Sequence, residues 1–359
     1  MRARTRIVIP AAVAVVIATC GSARADDLPP KEIFERGAPA TVQVLATTGQ
    51  GLSSGSGAVY DAGKALVFTN AHVIEGSGAL KVRIGDGDPV PARLLGSDPC
   101  EDLAVLEITT PQDGLKDLEF GESGKVEAGD VVAALGYPRS FADQGTTKVV
   151  FTSGVVQSPD VAAAPSLSLP ELPSTIQHSA TVNPGNSGGP LLNGNAEIVG
   201  INSLKQTAAS NVEGQFYAIS SDHARPVLDR LAAGDSRNNA GWNLISLADP
   251  AFTDYFEDPA TGEQVLSQLS GKGVEGGMFV LNAATNTPAG KAGFVEGDVI
   301  THIKDTPVAS MADVCDVLQS AGPAEKLPVA GRYSYNGGTE HPFGERWYTD
   351  LTLQGKPAA

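Results

Sequence analysis

From about Thr41 onward the chain alternates short apolar runs with turn residues. The runs are TVQVLA (41–46), ALVFTNAHVI (65–74), LKVRIG (80–85), DLAVLEI (102–108), DVVAALGY (130–137), VVFTSGVVQS (149–158), STIQHSATV (174–182), AEIVGINSL (196–204) and GQFYAISS (214–221). β-Branched residues dominate them, and Gly, Asp or Pro separates most of them, which predicts many short strands in a barrel or sandwich. DHARPVLDRLAAG (222–234) is the first convincing helical pattern, with Gly234 as its stop signal. The polar stretch 234–241 (GDSRNNAG) marks a linker.

Beyond the linker the pattern is mixed. GGMFVLNAATN (276–286) and GDVITHIKDTPV (297–308) predict strands, and PAGKAGF (288–294) a short helix. SMADVCDVLQSAG (310–322) predicts a second helix, because Ser310 and Asp313 have capping-box spacing and Met311, Val314, Val317 and Leu318 share a face. Residues 158–174 (SPDVAAAPSLSLPELPS) are rich in Ala, Pro and Ser and predict a mobile loop.

The length of 359 residues favours two domains. The net charge of −16 opposes binding to phosphate backbones and to anionic lipid, so no nucleic-acid partner is expected. Arg2, Arg4 and Arg6, an apolar stretch 7–18 and Ala23-Arg24-Ala25 together form a secretory leader, with cleavage expected near Ala25. A lipoprotein anchored through Cys20 is a minor alternative, since Thr19 is a poor fit to the small residue usual before such a cysteine. Cys100 and Cys315 are more than 200 positions apart and predict no disulfide framework. There is no zinc-type Cys/His cluster, HExxH helix or Walker lysine motif, and no metal or other cofactor is expected.

Candidate chemistry concentrates in Asn183-Pro184-Gly185-Asn186-Ser187-Gly188-Gly189-Pro190. A serine among glycines permits close approach of a substrate backbone and lets N–H groups converge on one point, as an oxyanion requires. Taken alone, the segment is also compatible with a plain glycine-rich turn. Upstream, His72 ends one apolar run and Asp102 begins another. A serine nucleophile needs an imidazole to take its proton and a carboxylate to fix the imidazole's tautomer, and the order His72, Asp102, Ser187 is that of the chymotrypsin template. Gly185-x-Ser187-x-Gly189 also fits a nucleophile elbow. That motif demands a helix after the serine and a histidine downstream, whereas Pro190 and a hairpin-like stretch follow here.

TNAHVI, DLAVLEI, ALGYP, FTSGVV and NPGNSGGPLL, in this order, resemble the HtrA (Deg) family of serine proteases, and residues 276–308 resemble that family's PDZ domain. The resemblance implies a mainly β chain, with two six-stranded β-barrels of chymotrypsin type followed by a small α+β PDZ domain. The corresponding boundaries are 1–25 for the leader, 28–234 for the protease domain, 235–241 for the linker and 242–355 for the PDZ domain. It further implies His72 as base, Asp102 as orienting acid, Ser187 as nucleophile, and an oxyanion hole from Gly185 and Ser187 with Asn186 as a further contributor. Thr181, six residues before the nucleophile, is expected as pocket floor, with Ile201, Asn202 and Ser203 in a wall; no acid stands there, so a small apolar pocket is expected. The PDZ peptide-binding loop is expected at Gly241, Trp242, Asn243, Leu244 and Ile245.

The chain departs from the family pattern in three places. His178-Ser179 replaces a Thr-Asp pair, and His178 reads as an exposed loop histidine. Only 47–57 separates the first strands. Leu244 occupies a glycine position, which predicts weak or atypical binding of C-terminal peptides. The reading that follows is an exported, ATP-independent endopeptidase acting on unfolded or damaged envelope proteins in the periplasm or outside the cell. A peptide ligand at the PDZ domain and a homotrimer come with the resemblance. The competing class is a chaperone-like or pseudoprotease binding protein built from the same two domains.

Overall fold

The computed structural model describes residues 27–48, 51–138, 148–163, 166–205, 214–236, 238–335, 338 and 341–354. The leader and Cys20 lie outside the described residues. A first helix, α1 (Pro30–Gly37), opens the described chain, with Pro30 at its first position and Ile33 buried. At eight residues it is too short to register as a periodic pattern, and the sequence reading passes over it.

The first closed barrel has the order β1-β2-β3-β6-β5-β4, from β1 (Thr41–Thr48), β2 (Gly51–Asp61), β3 (Leu66–Thr69), β4 (Ser77–Ile84), β5 (Val90–Asp98) and β6 (Leu103–Ile108). The second has the order β10-β11-β12-β9-β8-β7, from β7 (Val131–Gly136), β8 (Val150–Ala163), β9 (Leu172–His178), β10 (Pro190–Leu192), β11 (Ile198–Lys205) and β12 (Phe216–Ser220). A one-turn helix α2 (Ala71–Ile74) follows β3, and α3 (Ser221–Ala232) follows β12.

Strand periodicity decides which core each side chain joins. In β1, Val42 and Val44 point into the first barrel, together with Val67 of β3 and Leu106 of β6. Phe68, next to Val67, points the other way, into an apolar seam with Leu135, Leu192, Ile198 and Leu228. That seam joins the barrels, and it explains why β3 is buried along its whole length. Full burial of Phe68 is worth about 2–3 kcal/mol of transfer free energy.

The third unit is a sheet of order β13-β14-β15-β17-β18, from β13 (Trp242–Ser246), β14 (Met278–Ala283), β15 (Asp298–Ile303), β17 (Lys326–Tyr333) and β18 (Arg346–Thr352), with the two-residue β16 (Thr306–Pro307) on β15. Helices α4 (Pro259–Ser270), α5 (Pro288–Ala292) and α6 (Met311–Ser320) pack on it. The capping box of α6 is formed in both directions by Ser310 and Asp313. The sequence reading does not include α4, whose apolar positions are sparse.

Three expectations are corrected here. Residues 47–57 are mostly paired strand, since β1 runs to Thr48 and β2 begins at Gly51. The stretch 158–174 is largely β8 and the start of β9, and its central turn is packed: Leu167 O accepts from the Met311 N–H at 2.7 Å, and Ser168 Oγ donates to Asp249 Oδ2 at 2.6 Å. Cys100 and Cys315 form a disulfide across a separation of 215 residues. Such a pairing leaves no local signal, because only the docking of α6 beside the turn before Asp102 brings the two Cα atoms to 5.4 Å.

Candidate active site

The first barrel supplies the imidazole and the carboxylate. Thr69, the last residue of β3, anchors the chain by donating from Oγ1 to Ser56 O at 2.7 Å. The next residue, Asn70, is fully buried and donates from Nδ2 to Asp102 O at 2.8 Å. The turn of α2 then carries His72 over Asp102. His72 Nδ1 lies 2.9 and 3.0 Å from the two carboxylate oxygens of Asp102, and the His72 backbone N–H donates to Oδ1 at 3.1 Å.

Asp102 is 2% exposed and has a positive φ of 50°. Its carboxylate takes a third partner, Ser203 Oγ, which donates to Oδ2 at 2.5 Å. These donors offset the cost of burying a charge. Burial opposes protonation of His72, but the charge and hydrogen bond of Asp102, with the charge of Glu75 added, outweigh it, so its pKa lies above the usual histidine range. Glu75, one turn from His72, is pushed up to about 8: burial raises it, His72 opposes the rise, and the charge of Asp102 adds to it.

The second barrel supplies the serine, on a loop fixed almost entirely by backbone. Gly185 and Gly188 have φ of 102° and 84°, a region closed to most side chains. A Cβ on Gly188 would sit 2.2 Å from Ser56 O, and one on Gly189 2.2 Å from Leu135 O. The Gly188 N–H donates to Asn202 O at 2.7 Å, the Ser56 N–H donates to Ser187 O at 2.8 Å, and Ser56 Oγ donates to Gly185 O at 2.6 Å. Ser56, on β2, thereby ties the serine loop to the first barrel. The Ser187 hydroxyl donates to Ser203 O at 3.2 Å, and no hydrogen bond joins it to His72. Ser203 therefore touches both halves, through its hydroxyl on Asp102 and its carbonyl on Ser187.

The remaining candidates divide sharply. Among the described residues the N–H groups of Gly185 and Ser187 have no acceptor, so both are free to meet an oxyanion. The Asn186 N–H donates to Asn183 O at 2.9 Å and is not free, because the turn consumes it. Thr181 is exposed, and its carbonyl accepts from Thr152 Oγ1. Ile201 lies in the seam between the barrels, and buried Asn202 spends its Nδ2 on the carbonyls of Gly189 and Pro190, so neither forms a pocket wall. Of the four, Ser203 lines the open cleft beside His72, at the register shift between Asn202 and Leu204 that interrupts the alternation of β11.

His178 is fully buried in β9, its ring tilted beside that of Phe216 with centroids 6.1 Å apart, and burial pushes its pKa down to about 4. It is a neutral core residue and not an exposed one, because both neighbouring strands of the barrel cover it. Gly241 has φ 78° and abuts Thr287, where a Cβ would stand 2.1 Å away. Trp242, Asn243, Leu244 and Ile245 form a paired strand, not a loop, with a register shift between Asn243 and Leu244. Leu244 is buried in the same apolar cluster as Cys100, Met311 and Cys315.

A cavity of about 420 Å³ opens beside His72. His72, Asp102 and Ser203 wall one side and Trp242, Leu244 and Tyr255 another. The sequence reading does not foresee Asn70, Ser56 or the orienting hydroxyl of Ser203. Their contacts span 13 to 129 positions and carry no local spacing signal.

Residues 55–201 match the trypsin-like peptidase domain family, and residues 279–329 match the PDZ domain family. Over 270 residues the chain is 34% identical to "Serine protease Do-like HtrA" of Bacillus subtilis (strain 168), covering 74% of this chain and 57% of that protein. It is also 34% identical over 265 residues to "Probable periplasmic serine endoprotease DegP-like" of Brucella suis biovar 1 (strain 1330), covering 73% and 47% respectively. The chain thus spans about half the length of these relatives. Among solved structures, "HtrA-type protease AlgW with tripeptide" is similar with a TM-score of 0.52 and 25% identity, covering 92% of this chain and 98% of that one.

Proposed function

Since the chain belongs to the HtrA family of serine proteases, with a trypsin-like peptidase domain followed by a PDZ domain, we propose that it is an exported, ATP-independent endopeptidase. The substrates of this reading are unfolded or damaged proteins of the cell envelope. The observation that carries it is the placing of His72 Nδ1 on both oxygens of a buried Asp102. That contact commits the Nδ1 proton to the carboxylate and leaves Nε2 as the base.

In the reaction Ser187 Oγ turns from Ser203 O towards His72 Nε2, gives up its proton and attacks the scissile carbonyl. The oxyanion that forms meets the N–H groups of Gly185 and Ser187, fixed donors that require no reorganisation. The imidazolium, stabilised by Asp102, then protonates the leaving amine. Water enters by the same base and releases the acyl group from Ser187. The periplasmic assignment carried in the name of the Brucella relative supports the periplasm as location. Homotrimer assembly rests on the family alone, and sedimentation of the mature chain tests it.

One observation favours the binding-protein reading: the Ser187 hydroxyl is engaged by Ser203 and not by His72. Incubating wild type and Ser187→Ala with casein decides between them. Cleavage by wild type, with kcat reduced on the order of 10⁶-fold in the variant, is the expected result. Equal, negligible cleavage by both, with retained binding of unfolded chains, favours the binder.

A further inference from the structure

We propose that the hairpin turn carrying Asp102 is mounted on the PDZ domain through the Cys100–Cys315 disulfide, which makes Cys100 a positioning residue for Asp102 and makes full activity depend on that bond being formed. The proposal rests on the protease reading and adds to it a requirement for oxidation.

The turn 99–102 joins β5 to β6 and has little of its own to hold its shape. Its backbone supplies two bonds, from the Glu101 N–H to Asp98 O at 3.2 Å and from the Asp102 N–H to Pro99 O at 3.4 Å, and the second is long. Asp102 ends the turn at a φ of 50°. A residue other than glycine persists there only where its surroundings over-determine it. Glycine, the relaxed choice, would remove the carboxylate that orients His72.

Those surroundings come from outside the hairpin. Asp98 Oδ1 accepts from the Cys100 N–H at 3.1 Å. Asp98 Oδ2 accepts from Asn238 Nδ2 at 3.0 Å and has Arg230 Nη2 at 3.7 Å. Glu101 Oε2 lies 2.7 Å from His223 Nε2 of α3. Water competes for polar contacts of this kind where they reach the surface.

Cys100 is held differently. It is 2% exposed and lies in one apolar cluster with Leu244, Met311 and Cys315, so a residue of the first barrel belongs to the core of the PDZ domain. Its Sγ is bonded to Cys315 on α6. Water cannot replace that tie. Only Glu101 separates Cys100 from Asp102, so a tilt of the tip passes directly to the carboxylate.

The electrons balance as follows. In a reducing compartment both residues are thiols. On export they give two electrons and two protons to a disulfide oxidant, which becomes two thiols, and the Sγ–Sγ bond forms by exchange. The triad carboxylate thus reaches its final mount only where the substrates of the proposed function lie.

The titratable groups facing His72 are Asp102 from the turn, Glu75 from α2, and Asp249 and Tyr255 across the cavity. Only Asp102 sits on the disulfide-bonded turn. Loosening it weakens the support that raises the His72 pKa, so the acidic limb of kcat/KM moves to lower pH while kcat falls.

The test compares the oxidised mature chain with the same chain reduced by excess dithiothreitol, which closes to its own cyclic disulfide. Free thiols are counted by alkylation and mass spectrometry. The double variant Cys100→Ser, Cys315→Ser is the permanent counterpart, so a bond that resists the reagent or a variant that fails to fold leaves the other arm to decide. All assays run well below each thermal midpoint. The expected result is a kcat about tenfold lower in both, with KM within twofold and the acidic limb at lower pH. Reoxidation should restore the wild type and not the variant. A kcat within twofold and an unmoved limb in a chain without the bond, or a loss confined to KM or to the thermal midpoint, overturns the proposal. If the oxidised wild type cuts nothing, the protease reading fails. Titration of the His72 ring by NMR still decides the mount: its pKa falls towards the ordinary histidine value without the bond, or it stays and the proposal fails.

Discussion

The two halves of the site are held by different forces. The half from the first barrel is a set of side-chain hydrogen bonds converging on one buried carboxylate: Asp102 receives His72 twice and Ser203 once. The half from the second barrel is a backbone loop wedged between glycines, with a single rotatable hydroxyl at its tip. In the first half electrostatics set the geometry, and removing one partner leaves a buried charge exposed to loss. In the second, steric fit sets the geometry, and the hydroxyl stays free to turn between Ser203 O and His72. Pre-organisation is thus concentrated where charge is held, and freedom is kept where a bond must form.

This contrast can be broken from either side. The largest effect after loss of the nucleophile is expected from Asp102→Asn, which permits the wrong imidazole tautomer. It should lower kcat about 10⁴-fold with little change in KM, measured on a peptide substrate. An effect below tenfold would show that the carboxylate is structural only.

On the other half, Gly188→Ala forces a Cβ against Ser56 O at a positive φ. It should cost about 3 kcal/mol of stability, read as a lowered denaturation midpoint. A neutral result would mean that the loop yields and is not sterically fixed.

Ser203→Ala sharpens the comparison, because it removes one donor from Asp102 and leaves the Ser203 carbonyl. Loss of a hydrogen bond to a buried charge is worth about 1.5–3 kcal/mol, so kcat/KM should fall roughly ten- to hundredfold. A fall confined to stability, with kcat/KM intact, would remove Ser203 from the orienting role.

The smallest effect concerns His178, which is buried without the carboxylate that His72 has. Its pKa falls from 6.5 to about 4 because burial disfavours the cation. Between these values the unfolded chain binds the proton and the folded chain does not. Stability is therefore full above pH 6.5 and is lost as pH falls towards 4, by on the order of 2 kcal/mol at pH 5. His178→Gln should flatten that part of the stability profile, followed as thermal midpoint against pH; an unchanged slope would refute the assignment. His223 behaves oppositely. Its hydrogen bond to Glu101 raises its pKa against the effect of burial, so its contribution is full below the ordinary histidine range and fades as pH rises.

Local order was legible in the chain wherever it is written in neighbouring residues. The apolar runs predicted β1, β6, β7, β8 and β11 because a strand declares itself through its own alternation. The glycines around Ser187 marked a backbone nest, and the order of His72, Asp102 and Ser187 pointed to one chemistry. Short or sparsely apolar elements, α1 and α4, escaped for want of a period.

Contacts between distant segments were decided by the tertiary structure alone. Ser203 does line the cleft, as its place in the chain suggests, but nothing beside it in sequence says that its hydroxyl faces Asp102, 101 positions away. His178 reads in sequence as an exposed loop residue, because a polar residue at a strand end shows its burial only once the barrel has closed around it. Ile201 and Asn202 turned inward for the same reason, since a barrel's shear fixes which residues of β11 meet the seam. The Cys100–Cys315 bond and the joint cleft depend on where one folded body docks on another. Sequence fixes local periodicity and reactive groups, because these depend on near neighbours. Burial, pairing and shared cavities are properties of surfaces that exist only after the chain has closed.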